Sequence, residues 1–230
     1  MEYNTGNNME RVTDRDASDL ERPEWNSLEK NYDLHDIGEA FVRREADHLG
    51  LEAQEWGIDR RHDDDGLIYD KKMDLEITVP EAGAVKAIVE VKTKRNTDWY
   101  GTINRRHFRH YLDVTHERDV PVFIYMTLVD DGSDERGAVD AQSAEITRDT
   151  FIPIARWREF QRVLDGEYEY YRPEAADQFL VDQVDKHPQV EATWRAPDGN
   201  QVVDIDLDSG VGWPSFSKRV VDRDIPIVGE

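Results

Sequence analysis

The 230-residue chain has no cysteine, so disulfides and thiolate-bound metals are excluded and a reducing compartment is permitted. It has no apolar run near the roughly 18 residues needed to cross a bilayer. Its start, Met1-Glu2-Tyr3-Asn4, lacks the basic-then-apolar form of a signal peptide. These absences make a soluble, cytoplasmic protein without a membrane partner the expectation. Lysine is scarce, with 8 beside 21 arginines, and 51 acidic residues outnumber 29 basic ones for a net charge of −22. Periodic apolar segments exclude disorder over most of the chain. The length suits one well-buried core plus an extension, at about 100 to 200 residues per domain.

The residue types hardest to explain by folding alone lie in 71–95. Lys71-Lys72-Met73-Asp74-Leu75-Glu76-Ile77-Thr78-Val79 turns through Pro80-Glu81-Ala82-Gly83 and returns through Val85 to Arg95. Alternating β-branched and polar residues around a Pro/Gly turn predict a β-hairpin. Side chains two apart on a strand share a face, so Glu90 and Lys92 oppose Val89, Val91 and Thr93. Pairing through the turn brings Asp74 toward Glu90, giving two carboxylates and an ammonium on one patch. Two adjacent carboxylates repel unless a cation neutralises them, which a hard divalent ion does through oxygen ligands. A lysine beside such an ion can hold an attacking water or offset charge building on a phosphate.

Asp74, fifteen intervening residues and then Glu90-Val91-Lys92 resemble the signature of the PD-(D/E)XK, or restriction-endonuclease-like, nucleases. Met73 stands where that family often has proline. The likeness covers about residues 33 to 165 and implies a DNA-cleaving hydrolase using Mg²⁺, with Mn²⁺ as a substitute. It implies that Asp74, Glu90 and the Val91 carbonyl ligate the metal and that Lys92 orients water or stabilises the pentacovalent phosphate. A helix predicted over 33–49 gathers Leu34, Ile37, Phe41, Val42, Ala46 and Leu49 on one arc, with Glu39 at its edge and Gly50 as the stop. Alone, Glu39 reads as a boundary residue. Gly38-Glu39, Arg43-Arg44 and His48-Leu49-Gly50, however, resemble the layout of archaeal Holliday junction resolvases, a branch of the same superfamily. That likeness implies that Glu39 reaches the metal-bound water or steadies Lys92. It also implies a homodimer, although no segment reads as its interface. The acidic composition resembles that of proteins from extremely halophilic archaea or their viruses, where carboxylates keep a surface hydrated in molar salt.

A second helix, predicted over 102–118, gathers Ile103, His107, Phe108, Tyr111, Leu112, Val114 and Thr115 on one half and Arg105, Arg106, Arg109 and His110 on the other. His107 reads either as a core histidine or, with Tyr111 four residues on, as site-facing. From Lys92 to Arg118 the charge is +4, while the remainder of the chain is −26. A basic island in so acidic a chain is where a polyanion would bind, so Lys94, Arg95, Arg105, Arg106, Arg109 and His110 are the expected DNA-backbone contacts.

The rest predicts a strand over 52–59, a buried strand over 120–129, strands near 144–146 and 150–154, and a helix over 155–164. The expected fold is α/β: a restriction-endonuclease-like mixed central sheet flanked by helices, with a small C-terminal α+β extension. The divisions are a flexible acidic arm over 1–30, a nuclease-like core over 31–165 and an extension over 166–230. Within the extension, 174–187 reads as a helix, and 190–194 with 202–207 as a hairpin. Two acidic stretches are assigned to structure. His62-Asp63-Asp64-Asp65 share no helical or strand face. Asp204-Ile205-Asp206-Leu207-Asp208-Ser209 lacks the glycine and glutamate of a calcium loop. A non-catalytic nucleic-acid-binding protein, or an interaction protein using the acidic face, is the rival expectation.

Overall fold

The computed structural model describes residues 28–56, 73–80, 82–95, 97–130, 132, 144–167 and 183–229. Most of the expected arm, residues 57–59 of the strand expected over 52–59, the His62 loop and most of the helix expected over 174–187 lie outside these residues. In chain order the described elements are α1 (Leu28–His48), β1 (Glu52–Glu55), β2 (Leu75–Thr78), β3 (Val85–Lys94), β4 (Thr102–Asn104), α2 (Arg105–Glu117), β5 (Val122–Asp130), β6 (Glu145–Ile154), β7 (Arg156–Trp157) and α3 (Arg158–Leu164). β8 (Val190–Arg195), β9 (Gln201–Ile205), α4 (Trp213–Asp222) and β10 (Ile227–Val228) follow.

Five strands form one sheet in the order β1-β2-β3-β5-β6. Its neighbours are antiparallel except β3 and β5, which run parallel and are joined through α2. Parallel neighbours need such a crossover because a tight turn can only reverse the chain. The protein is thus mixed α/β, with a mostly antiparallel sheet flanked by helices. Val122 to Thr127 of β5 are buried throughout, as a central strand covered on both faces requires. On one face, Val42 and Ala46 of α1 and Phe216 and Val220 of α4 pack on Leu75, Ile77, Val89, Val91, Phe123 and Phe151. On the other, Phe108, Tyr111 and Leu112 of α2 and Phe160 and Val163 of α3 pack on Ile88, Ile124, Met126 and Ile152.

α1 lies close against β3 because Gly38 has no side chain. A Cβ there would stand 2.7 Å from Val91 Cγ1 and closer still to Thr93 Oγ1, so any larger residue must push the helix away. Gly38, Val42 and Ala46 make one buried stripe at four-residue spacing. That close approach carries the neighbouring Glu39 to the edge of the sheet.

Several boundaries differ from those expected. The helix predicted from 102 starts at Arg105, because Thr102, Ile103 and Asn104 pair with Asp204, Val203 and Val202 of β9. Asn104 caps the helix by accepting the Arg106 N–H at 3.1 Å. The strands expected at 144–146 and 150–154 are one, since all of β6 pairs with β5 around a single irregularity. Two residues that read as the start of the third helix, Arg156 and Trp157, instead form β7, parallel to β10. β4, β9 and β8 make a second sheet. Residues 183–229 of the expected extension supply Val184, Val203 and Ile205 to one hydrophobic cluster and Phe216 and Val220 to the other. Asp206 caps a single 3₁₀ turn at Leu207–Ser209 by accepting the Asp208 N–H. Among the described residues no helix is long and apolar enough to cross a membrane.

Candidate active site

The edge of the sheet where β2 begins brings together side chains from α1, β2, β3 and α2. The β2–β3 register opens at Leu75 opposite Val89, so Asp74 lies just beyond the first pair. Its carboxylate Oδ2 accepts the Val91 N–H at 2.7 Å, which holds it against the E-x-K strand. The other oxygen, Oδ1, lies 3.5 Å from His35 Nε2, and the same nitrogen is 2.8 Å from Glu39 Oε1. Arg43 closes the chain of contacts at 2.7 Å from Glu39 Oε2. Burial pulls the His35 pKa down, but hydrogen bonds to Asp74 and Glu39, with their charges, outweigh it and raise it to about 10. An imidazolium therefore bridges two carboxylates at neutral pH.

His35, Glu39 and Asp74 each offer one ligand atom, all within 4.8 Å of one another. The three could share one divalent cation once His35 gives up its proton, because a ligating imidazole must be neutral. The mixed imidazole and carboxylate set suits Mn²⁺ at least as well as Mg²⁺.

The second group lies on the opposite face of β3, under α2. Glu90, only 8% exposed, accepts on a single oxygen, Oε1, from Lys92 Nζ at 2.5 Å and from the Tyr111 hydroxyl at 2.6 Å. Burial works against the Lys92 charge, but the negative charges of Glu90 and Asp74 and the hydrogen bond to Glu90 raise its pKa, so it remains an ammonium. Burial, then the Glu90 charge and hydrogen bond, push the Tyr111 pKa well up and keep its proton in place to donate. His107 packs beside Tyr111, with ring centroids 6.5 Å apart. Burial and the Lys92 charge lower its pKa to about 4, so its imidazole is neutral near pH 7. Lys94, on the same strand face, is lowered to about 8 by burial and by Lys92.

The expected trio is thus divided between two groups. Asp74 takes His35 as its cation and Glu90 takes Lys92, while the Asp74 charge still reaches Lys92 and Tyr111. Glu39, expected to steady Lys92, bonds instead to His35 and Arg43. Val91 enters through its amide, which anchors Asp74. Tyr111 faces the site through Glu90, and His107 stands beside it.

Among the expected DNA contacts, Arg105 forks onto Asp185, at 2.5 Å from Nε and 3.3 Å from Nη2, and so ties α2 to the C-terminal segment. Arg106 is exposed on the first turn of α2, whereas Lys94, Arg95, Arg109 and His110 are half-buried around it.

Sequence reasoning missed His35. The available signal was its position four residues before Glu39, which puts both on one helix face. Nothing in the helix alone distinguishes it from His48, because its second partner, Asp74, is 39 residues away in sequence. No protein-family model, curated protein or solved structure matches the chain, so the chemistry of this edge is read from its own groups.

Proposed function

We propose that the protein is a metal-dependent nuclease with a restriction-endonuclease-like core that hydrolyses DNA phosphodiester bonds. The observation that carries this reading is the position of Asp74: its carboxylate accepts the Val91 N–H of the Glu90-Val91-Lys92 strand, shares His35 with Glu39 of α1, and reaches Lys92 by its charge. The order α1-β1-β2-β3-β4-α2-β5, with β3 and β5 parallel, supports it further. Asp74 would hold the cation together with Glu39 and, once the metal displaces its proton, His35, and Glu90 lies across the strand as a further carboxylate. When bound, a divalent cation supplies Lewis acidity toward a phosphoryl oxygen and a more acidic water.

The chain's own groups do the rest. The buried Lys92 ammonium sets a fixed positive charge where negative charge builds on the phosphate. Tyr111 holds Glu90 in one orientation. His107 stays neutral beside Tyr111 and adds no competing positive charge to that of Lys92. Lys94, Arg95, Arg106, Arg109 and His110 would hold the DNA backbone, which positions the substrate without selecting bases. The acidic surface suits work in concentrated salt, where self-repulsion is screened within about 3 Å at 1 M.

One observation favours a second reading, a nucleic-acid-binding protein that does not cut. Asp74 and Glu39 already share the His35 charge, and Glu90 already has Lys92, so both carboxylate sets are compensated internally. End-labelled duplex, single-strand and four-way-junction DNA, incubated in molar KCl with Mg²⁺, Mn²⁺ or EDTA, separates the two. Metal-dependent cuts that disappear in Glu90→Ala support the nuclease. Salt-sensitive binding with intact DNA, from protein verified as folded, supports the second reading instead.

A further inference from the structure

Between β3 and β4 the chain makes a 3₁₀ turn at Thr97–Trp99, and there the Trp99 ring meets Trp194 of β8 at a centroid distance of 5.4 Å. The rings are inclined by 39°, neither parallel nor edge to face, so they diverge as a wedge. Both are half-buried, unlike Trp157, which is 5% exposed in the core. Hydrophobic packing alone would favour closing such rings off from water.

The Trp194 ring is held in place. Its indole N–H donates to Asp204 Oδ2 at 3.1 Å, and the other Asp204 oxygen accepts the Thr102 hydroxyl at 2.6 Å. One carboxylate therefore locks the ring and ties it to β4, directly before α2. The opposite side of the wedge is fixed as well. Tyr100, next to Trp99, is buried with Arg148 over its ring, and its hydroxyl donates to the Met126 carbonyl at 3.4 Å. Met126 is the register partner of Lys92. Trp99 thus follows the E-x-K strand directly, inside the +4 stretch between Lys92 and Arg118, and Trp194 joins it from β8.

We propose that Trp99 and Trp194 form a stacking platform for an unpaired DNA base beside the site. This rests on the nuclease reading and deepens it by naming the substrate class: DNA with unpaired bases at an end, flap or branch. A surface of net charge −22 repels a polyanion. Salt that screens this repulsion also weakens phosphate contacts. Aromatic stacking survives both conditions, and every base offers a π face to it.

The test is binding of the full chain, in EDTA and molar KCl, to a labelled thymidine single strand, to the same backbone without bases, and to duplex. The platform requires the thymidine strand to bind tighter than the abasic one by about tenfold or more, with quenching of tryptophan fluorescence by the thymidine strand alone. Trp99→Ala and Trp194→Ala should each abolish that ratio and leave duplex binding unchanged. Trp194→Phe, which keeps a ring but loses the Asp204 bond, should retain most of it. Equal binding of thymidine and abasic strands by the native protein overturns the platform whatever the variants do, and duplex binding alongside it leaves the nuclease reading standing. Absence of binding to all three DNAs also overturns the platform, and the nuclease reading then stands or falls on the cleavage assay with Mg²⁺ or Mn²⁺.

Discussion

The two carboxylate groups at the sheet edge use the same elements differently. The α1-side group, His35, Glu39 and Asp74, is part-exposed and linked by an imidazolium. The α2-side group is only slightly deeper, with the Glu90 side chain 10% exposed against 14% for Glu39, but both of its partners bond to one oxygen. A buried ion pair must stay paired, because removing one member strands the other charge out of water. On the α1 side each carboxylate keeps a second partner, Arg43 on Glu39 and the Val91 N–H on Asp74, so neither is stranded if the imidazolium gives way to another cation. On the nuclease reading proposed above, the α1 side would be where a metal enters and the α2 side a fixed electrostatic floor beneath it.

The strongest way to break that comparison is Glu90→Ala. It leaves the Lys92 ammonium and the Tyr111 hydroxyl without their shared acceptor, so chemical denaturation should register a loss of about 3–5 kcal/mol. Cleavage should fall by about a thousandfold or more. Glu39→Ala leaves Asp74 to hold the His35 charge, so it should cost less than Glu90→Ala while weakening Mn²⁺ binding measured by calorimetry. Equal stability losses from the two substitutions would remove the distinction between floor and entry.

The effect of pH separates the sides again. His107, His116 and His187 are lowered to about 4, each chiefly by burial. An unfolded histidine binds its proton near 6.5, so the folded state is fully favoured above that pH and loses stability as pH falls toward 4, by about 2–3 kcal/mol per group at most. His35 has the opposite sign: raised to about 10, its contribution is complete below 6.5 and is lost as pH rises through 10. Proton NMR titration of the histidines checks both directions, and a His35 resonance titrating near 6.5 would show that its carboxylate clamp does not form.

Gly38→Ala sharpens the geometric side of the comparison. Its Cβ meets Val91 and Thr93, so α1 must shift from β3 at about 1–3 kcal/mol. The expected signature is a lower thermal midpoint with weakened Mn²⁺ binding, since His35 and Glu39 move away from Asp74. Tyr111→Phe should have the smallest effect. It removes one of two donors to Glu90 for about 1 kcal/mol, with cleavage reduced about tenfold or less.

The sequence showed the hairpin, α1, the basic helix and the buried β5 strand because each rests on local periodicity around turn or capping residues. Asp74, Glu90 and Lys92 were legible for the same reason, since two strands and one turn relate them. Features resting on long-range pairing were not. β4 is three residues long, too short for a period to declare itself, and it exists because β9, a hundred residues later, supplies its hydrogen bonds. The engagement of Arg105 with Asp185 and of His35 with Asp74 likewise depends on partners that no local pattern announces.

That short β4 pairing ties together the fates of two distant parts of the chain. α2, which presents Tyr111 and His107 to the site, starts at the residue after a strand held by β9, and Arg105 adds a tie to Asp185. The tail and the site helix therefore belong to one cooperative unfolding unit. In native-state hydrogen exchange, the β9 amides and those at the start of α2 should open together, and trimming the chain at residue 165 should release the helix as well as the tail. A cell could silence such a protein by clipping the residues after 165, far in sequence from the carboxylates of the sheet edge.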